Sequence, residues 1–199
     1  MSSTVTDQLT FNSELRRKLI HLACAGLPLL YQLFLTREQI VAICGIITLG
    51  FIAGELLRRS WRTGTLLFEQ IFGSLLREQE KNKLTGATCL FISATVTFLI
   101  FEKSIAVPAI FTLTISDSLA AITGRAFGRH RIYGKSLEGS LTFFLLTAGI
   151  LYLNFGGLTT YLVLVCALLT GIELLPFRFS DNLVIGPAAA ILLLVGQKV

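Results

Sequence analysis

The stretch QIVAICGIITLGFIAGELL, residues 39–57, decides the fold class of this chain. A transmembrane helix needs about 20 mainly apolar residues, because no water is present inside a bilayer to satisfy backbone N–H and C=O groups. The whole chain has the same character, since 53% of its 199 residues are hydrophobic and 15% are charged. Soluble domains carry roughly 25% charged residues. These values predict an integral membrane protein and exclude an ordinary soluble globule.

Six further apolar stretches flank this one, and together they predict one all-α transmembrane domain over residues 1–199 with about seven spans. The last stretch is short enough to be a re-entrant segment instead of a full span. Between the second and third spans, Thr63–Gln79 carries apolar residues at i, i+4 spacing. This spacing predicts an amphipathic helix that lies in the membrane interface or packs across the end of the bundle. The predicted spans are residues 19–36, 39–57, 84–101, 104–123, 137–154, 158–176 and 183–196.

The lysine and arginine residues divide unequally between the two sides of the membrane. With seven spans, 14 of the 17 lie on the side of the N-terminus and three lie on the other. The positive-inside rule therefore predicts that the N-terminus, the charged loops and any active site face the cytoplasm. These loops also account for the net charge of +5, so no nucleic-acid partner is expected.

Three acidic residues lie in or next to predicted membrane spans, where an ionised group is energetically unfavourable. An ionisable group inside a membrane helix costs at least about 2.5 to 3.5 kcal/mol on insertion scales. Asp117 and Glu173 lie toward the cytoplasmic ends of predicted spans, and Asp181 follows in a loop at the same membrane depth. Any one of them is explained equally well by pairing with an arginine at the interface. Three acids at one depth favour a functional site.

The loop GRAFGRHRIYGKSLEGS, residues 124–140, is rich in glycine and cations. Glycines allow backbone amides to approach phosphate oxygens, and arginine and lysine neutralise them, so the loop predicts a polyphosphate ligand. Ser136 is placed to cap the helix that follows, where helix-start amides favour an anion. The pattern matches neither a P-loop nor a dinucleotide-binding motif. The alternative is an ordinary positive-inside loop with turn glycines.

A second group of polar residues enters the first predicted span. Glu14, Arg17, Lys18 and His21 are three or four residues apart, so they share one face of a helix. They are candidates for a site. The alternative is that His21 is a hydrogen-bonded structural residue and that Arg17 and Lys18 set the topology.

These groups belong to five short motifs spread over nearly the whole chain. In order, they are Glu14-x-x-Arg17-Lys18-x-x-His21, Glu80-x-x-x-Leu84-Thr85-Gly86-Ala87-Thr88, Asp117-x-x-Ala120-x-x-x-Gly124-x-x-x-Gly128, Lys135-Ser136-x-Glu138-Gly139-Ser140, and Glu173 with Asp181-Asn182. The set resembles the polyprenol (dolichol) kinase, phytol kinase and CTP-dependent diacylglycerol kinase group of small membrane enzymes. The resemblance implies transfer of the terminal phosphate of a nucleotide, usually CTP, to a lipid alcohol.

The chemistry of such a transfer suggests roles for individual residues. Phosphoryl transfer requires positioning and charge neutralisation, usually with Mg²⁺ held by one or two carboxylates. The expected Mg²⁺ ligands are Asp117, Glu173 and Asp181. The expected catalytic residues are Asp117, Lys135, His21 and Arg17, with either Asp117 or His21 orienting the lipid hydroxyl. The expected nucleotide-binding residues are Gly124, Arg125, Gly128, Lys135, Ser136, Glu138, Gly139, Glu80 and Thr85.

Two other functions fit parts of the sequence. A CDP-diacylglycerol synthase (phosphatidate cytidylyltransferase) also joins CTP to a membrane lipid with Mg²⁺ and carboxylates, but it transfers the α-phosphate with cytidine. A small membrane transporter would use buried acids as an ion path, but the acids here lie toward one face. The sequence leaves open the choice among polyprenol, phytol, farnesol and diacylglycerol, the choice of CTP or ATP, the oligomeric state and the general base.

Overall fold

The computed structural model describes residues 2–60, 83–176 and 180–196, with side chains described from residue 13 onward. These residues form nine α-helices, one π-helical turn and one two-stranded hairpin. The predicted interfacial helix Thr63–Gln79 and the predicted site residue Glu80 lie outside the described residues. The elements are α1 Ser2–Ala23, α2 Gly26–Leu33, α3 Arg37–Ser60, α4 Gly86–Ile100, α5 Lys103–Phe111, the π turn Thr112–Ser116, α6 Asp117–Phe127, β1 Arg131–Ile132, β2 Lys135–Ser136, α7 Leu137–Phe155, α8 Thr160–Leu174 and α9 Asp181–Gly196.

The all-α prediction is confirmed, apart from the short hairpin. In the described part of the chain, three helices are long and apolar enough to cross a membrane: α3, α7 and the continuous helix Lys103–Phe127. Helices α4, α8 and α9 are apolar but shorter. Seven full spans therefore stay a prediction.

The helix Lys103–Phe127 forms the centre of the bundle. Within its apolar window 72% of the residues are buried, compared with 22% for α3 and 28% for α7. Ile105, Ile110 and Leu113 on this helix pack with Phe98 of α4 and Phe143 of α7 in one core. The outer helices expose large apolar side chains, as expected for surfaces that contact lipid tails.

The structure corrects the predicted span 19–36, which is not one continuous helix. It is divided by a turn at Cys24 and Ala25 into the end of α1 and the separate helix α2. Pro28 has no N–H to donate to the carbonyl of Cys24, and Leu27 N–H makes a tighter bond to that carbonyl at 3.0 Å. With eight residues, α2 is about 12 Å long and does not cross a bilayer alone.

A π-helical turn interrupts the central helix immediately before Asp117. Inside the helix, the hydroxyls of Thr112 and Thr114 bond back to the carbonyls of Pro108 and Ile110, at 3.0 and 2.8 Å. Such side-chain bonds compete with the regular backbone pattern. A π turn also rotates the following residues relative to a regular helix, and such turns are frequent at functional sites. After this turn, Asp117 lies in the interior of the bundle.

Candidate active site

Lys18 of α1 and Asp117 of α6 form a buried ion pair. Lys18 Nζ lies 2.5 Å from Asp117 Oδ2, and the side chains are only 8% and 7% exposed. His21, one turn after Lys18, is also buried, with 7% of the residue exposed. Its Nε2 is buried and has no hydrogen-bond partner among the described residues. Burying an ion pair costs several kcal/mol of desolvation free energy per ion. This buried pair is therefore a candidate for a functional role.

The same face of α1 meets α6 through a second set of charges. Arg17 Nη2 lies 2.5 Å from Glu14 Oε1, and Arg125 Nη2 lies 3.8 Å from Glu14 Oε2. A shallow cleft lies between the two helices beside these charges. Apolar and charged side chains line it together: Glu14, Leu15, Lys18, Ala121, Ile122 and Arg125.

Lys135 joins three elements at the same end of the bundle. Its Nζ lies 2.6 Å from Asp181 Oδ2 and 3.1 Å from Glu173 Oε1, and it donates to the backbone carbonyl of Glu173. Ser140 Oγ donates to Glu173 Oε2 at 2.9 Å. The hairpin strand that carries Lys135 packs against α6, where Gly124 lies against Ser136.

The charge state of Lys135 follows from its surroundings. Burial lowers the pKa of Lys135, but the carboxylates of Asp181 and Glu173 outweigh burial and raise this pKa above its ordinary value. Lys135 is therefore a cation throughout the neutral pH range.

The three predicted Mg²⁺ ligands do not form one cluster. Among the described residues, no group of three His, Cys, Asp or Glu side chains is close enough to hold a metal ion. Glu173 and Asp181 do surround one cation, the ammonium of Lys135. Proteins usually hold Mg²⁺ with one or two carboxylates together with substrate phosphates, so this pair fits the ion chemically. Asp117 is paired with Lys18 instead.

A β-hairpin that the sequence did not predict presents Lys135. Arg131 pairs with Ser136 and Ile132 pairs with Lys135. The turn residues Tyr133 and Gly134 have φ of 50° and 85°, the positive values that a tight two-residue hairpin requires. The Tyr-Gly pair between the strands is a weak signal for this turn.

Helix α7 begins at Leu137, the first residue of the predicted span 137–154. Ser136 Oγ accepts a hydrogen bond from Gly139 N at 3.0 Å, which confirms the predicted cap. Glu138, a predicted nucleotide-binding residue, lies 3.0 Å from His130 Nδ1 through its Oε1. Its role in nucleotide binding stays a prediction.

Three of the loop glycines serve close packing. A Cβ at Gly124 would lie 2.6 Å from Ser136 Oγ, and one at Gly139 would lie 2.7 Å from the carbonyl of Ala120. The amides of Gly128 and Gly139 are hydrogen-bonded within the chain, to Gly124 O and Ser136 Oγ. The structure therefore gives these glycines a packing role, and their binding of phosphate stays a prediction.

Comparison with known proteins adds an independent finding to this geometry. The chain is 29% identical over 163 residues to the CTP-dependent diacylglycerol kinase 1 of Schizosaccharomyces pombe, covering 78% of this chain and 74% of that protein. This chain is similar to a CTP-dependent lipid kinase. The enzyme of the same name from Saccharomyces cerevisiae is 29% identical over 100 residues, 49% of this chain and 34% of the relative. An uncharacterized protein of Rickettsia prowazekii is 29% identical over 183 residues, 87% of this chain. No family model and no solved structure matches.

A buried network near these clusters includes residues that the sequence did not single out. Glu55 of α3 is 2% exposed, and its carboxylate accepts hydrogen bonds from Arg58 Nη2 at 2.6 Å and Thr85 N at 2.8 Å. Thr85, a predicted nucleotide-binding residue, caps α4. Asn182, next to Asp181, donates to the carbonyl of Gly86 at 2.8 Å. The network thus connects the start of α4 to the start of α9. An acid within the predicted span 39–57 was the signal that could have identified Glu55.

We expect Gly128→Ala to lower the free energy of unfolding by about 1 to 3 kcal/mol, because the new methyl group would overpack this junction. A Cβ at Gly128 would lie 2.1 Å from the backbone oxygen of Gly124, which cannot rotate away as a side chain can. Gly149→Ala in α7 is the matched control, since nothing lies within 4 Å of its Cβ position. Equal unfolding free energies for the two variants in detergent would contradict the packing role.

Proposed function

We propose that this chain is a CTP-dependent lipid kinase that transfers the terminal phosphate of CTP to the hydroxyl group of a membrane lipid alcohol. The carrying observation is that the chain builds two lysine–carboxylate clusters, Lys18 with Asp117 and Lys135 with Glu173 and Asp181, on elements that meet where Gly124 of α6 packs against Ser136. Similarity to diacylglycerol kinases supports the reaction and makes diacylglycerol the first acceptor to test. Polyprenol, phytol and farnesol are the other acceptors, and ATP is the other donor.

The proposed chemistry needs an acceptor hydroxyl, an oriented triphosphate and a place for one proton. The lipid oxygen attacks the γ-phosphorus, the bond from that phosphorus to the β–γ bridging oxygen breaks, and CDP leaves. Asp117 takes the hydroxyl proton, and Lys18 keeps this carboxylate ionised and fixed in position. The guanidinium groups of Arg17 and Arg125 and the ammonium of Lys135 bind phosphate oxygens.

Mg²⁺ belongs to this proposal as the ion that neutralises phosphate charge when it is bound. Glu173 and Asp181 would hold it, since their carboxylates surround a single cation position. Chelation of divalent ions should therefore abolish transfer.

The cleft between α1 and α6 is the proposed entry for the lipid hydroxyl. It combines the charged groups of Glu14, Lys18 and Arg125 with the apolar side chains of Leu15 and Ile122. Such a lining suits a lipid alcohol, whose polar end must reach Asp117 while its tail stays among apolar side chains. We also propose that this end of the bundle and the N-terminus face the cytoplasm, as the distribution of lysine and arginine predicts.

Two labelled nucleotides test the proposed reaction. The purified full chain in lipid nanodiscs is incubated with diacylglycerol, Mg²⁺ and CTP labelled at either the γ- or the α-phosphate. We expect γ-label in the lipid fraction and release of CDP. Transfer of the α-label with release of pyrophosphate would instead identify a cytidylyltransferase. Ion or solute flux in liposomes without any transfer would identify a transporter.

A further inference from the structure

Oxygen acceptors surround the ammonium of Lys135 in this structure. A lysine carries three N–H donors. Nζ donates hydrogen bonds to Asp181 Oδ2 and to the backbone carbonyl of Glu173, and it forms an ion pair with Glu173 Oε1 at 3.1 Å. A phosphate therefore competes with these oxygen atoms for Lys135.

The carboxylates around Lys135 would attract a divalent cation more strongly than they attract the monovalent ammonium. Glu173 and Asp181 together carry two negative charges and Lys135 carries one positive charge, so the three side chains keep a net charge of −1. Ser140 holds the second carboxylate oxygen of Glu173 and so fixes this acceptor independently of the lysine. A divalent cation between the two carboxylates would neutralise both of their negative charges.

The Lys135–Asp181 ion pair is more accessible to solvent than the Lys18–Asp117 ion pair. The side chains of Lys135 and Asp181 are 25% and 28% exposed, while those of Lys18 and Asp117 are 8% and 7% exposed. A hydrated ion can therefore reach Asp181 from water, while the side chain of Glu173 is 9% exposed. The lysine can move without disturbing the backbone, because β1–β2 pairing and the hydrogen bond from Leu137 N to His130 O hold the hairpin.

We propose that Lys135 is an exchangeable counter-ion. It holds Glu173 and Asp181 in place while no metal is bound, and it leaves them when a divalent cation binds to the two carboxylates. The freed ammonium then turns to the phosphates of the nucleotide. This exchange rests on the proposed kinase function for its last step only, since the displacement of the lysine needs no nucleotide.

The first test measures Mn²⁺ binding to the full chain by electron paramagnetic resonance, without nucleotide. Lys135→Met removes the competing ammonium, so we expect it to bind Mn²⁺ at least about tenfold more tightly than the wild type. Adding Asp181→Asn to this variant should remove the gain. Lys103→Met is the control, because Lys103 lies elsewhere, 4.8 Å from the ring centroid of Tyr31. Unchanged Mn²⁺ affinity in Lys135→Met would overturn the exchange.

The second test uses the wild-type protein and so does not depend on the folding of a variant. Amine-reactive labelling with mass spectrometry measures the reactivity of Lys135 with and without Mn²⁺. We expect Mn²⁺ to increase this reactivity and leave that of Lys103 unchanged. Constant reactivity of Lys135 at saturating Mn²⁺ would mean that the lysine is a fixed structural link.

The γ-label assay on the same preparation separates the two hypotheses. Lipid labelling without release of Lys135 would overturn the exchange and keep the kinase function. Release of Lys135 by Mn²⁺ without lipid labelling would overturn the kinase function and keep the exchange.

Discussion

Asp117→Asn is expected to lower the turnover number for transfer of the γ-phosphate to lipid by about 10²- to 10⁴-fold, the usual contribution of a positioned general base. The amide keeps the size of the side chain but cannot accept the proton of the lipid hydroxyl. The measurement is the initial rate of lipid labelling at saturating CTP and acceptor. Glu102→Gln is the control, because Glu102 is an exposed acid at the start of α5 whose side chain makes no capping hydrogen bond.

Loss of activity must be separated from loss of structure, because Asp117→Asn leaves the ammonium of Lys18 buried without its carboxylate. Breaking a buried pair in this way typically costs about 3 to 5 kcal/mol. The double variant Lys18→Met/Asp117→Asn removes both charges and should recover much of the stability of the wild type. It should remain inactive. A stable double variant with normal turnover would contradict the role of Asp117.

Glu55→Leu is expected to lower the free energy of unfolding by about 3 to 5 kcal/mol. The substitution leaves the buried guanidinium of Arg58 without this carboxylate, and it removes the acceptor of Thr85 N–H at the start of α4. Unfolding in detergent, followed by circular dichroism, measures the effect.

Two companion variants make the test of Glu55 specific. Glu55→Leu/Arg58→Met replaces the buried pair by apolar side chains and should recover part of the lost stability. Glu102→Leu changes the same residue type at an exposed position and should change the unfolding free energy by no more than about 0.5 kcal/mol. Equal losses in Glu55→Leu and Glu102→Leu would contradict the account of this network.

The features that were predicted best depend on residues that are close together in the sequence. The cap at Ser136 was predictable because its acceptor lies three residues from the amide that it binds. The shared face of Glu14, Arg17 and Lys18 follows from helical spacing alone. The predicted helix 104–123 is present within Lys103–Phe127, since long apolar periodicity is a strong signal.

Pairings between distant residues could not be predicted from spacing. Lys18 and Asp117 are 99 residues apart, and Lys135 and Asp181 are 46 apart. The sequence indicated that these groups share one membrane depth. It could not indicate that each carboxylate is paired with a lysine, because helix packing decides which faces meet.

Local departures from regular helix were also missed. The turn after α1 depends on one missing N–H at Pro28, and the π turn before Asp117 depends on hydroxyl groups that bond back to the helix. In an apolar segment these residues leave the hydrophobic pattern unchanged. Length and composition therefore predict a plain span where the structure has a break or an extra residue in a turn.

The most direct test of the central claim is transfer of label from γ-labelled CTP to diacylglycerol by the purified chain in nanodiscs, compared between the wild type and a variant with Asp117, Glu173 and Asp181 all replaced by their amides. We predict Mg²⁺-dependent labelling of the lipid by the wild type and none by the folded variant. Equal labelling by both proteins, or the absence of labelled lipid with the wild type and every tested alcohol, would contradict the account.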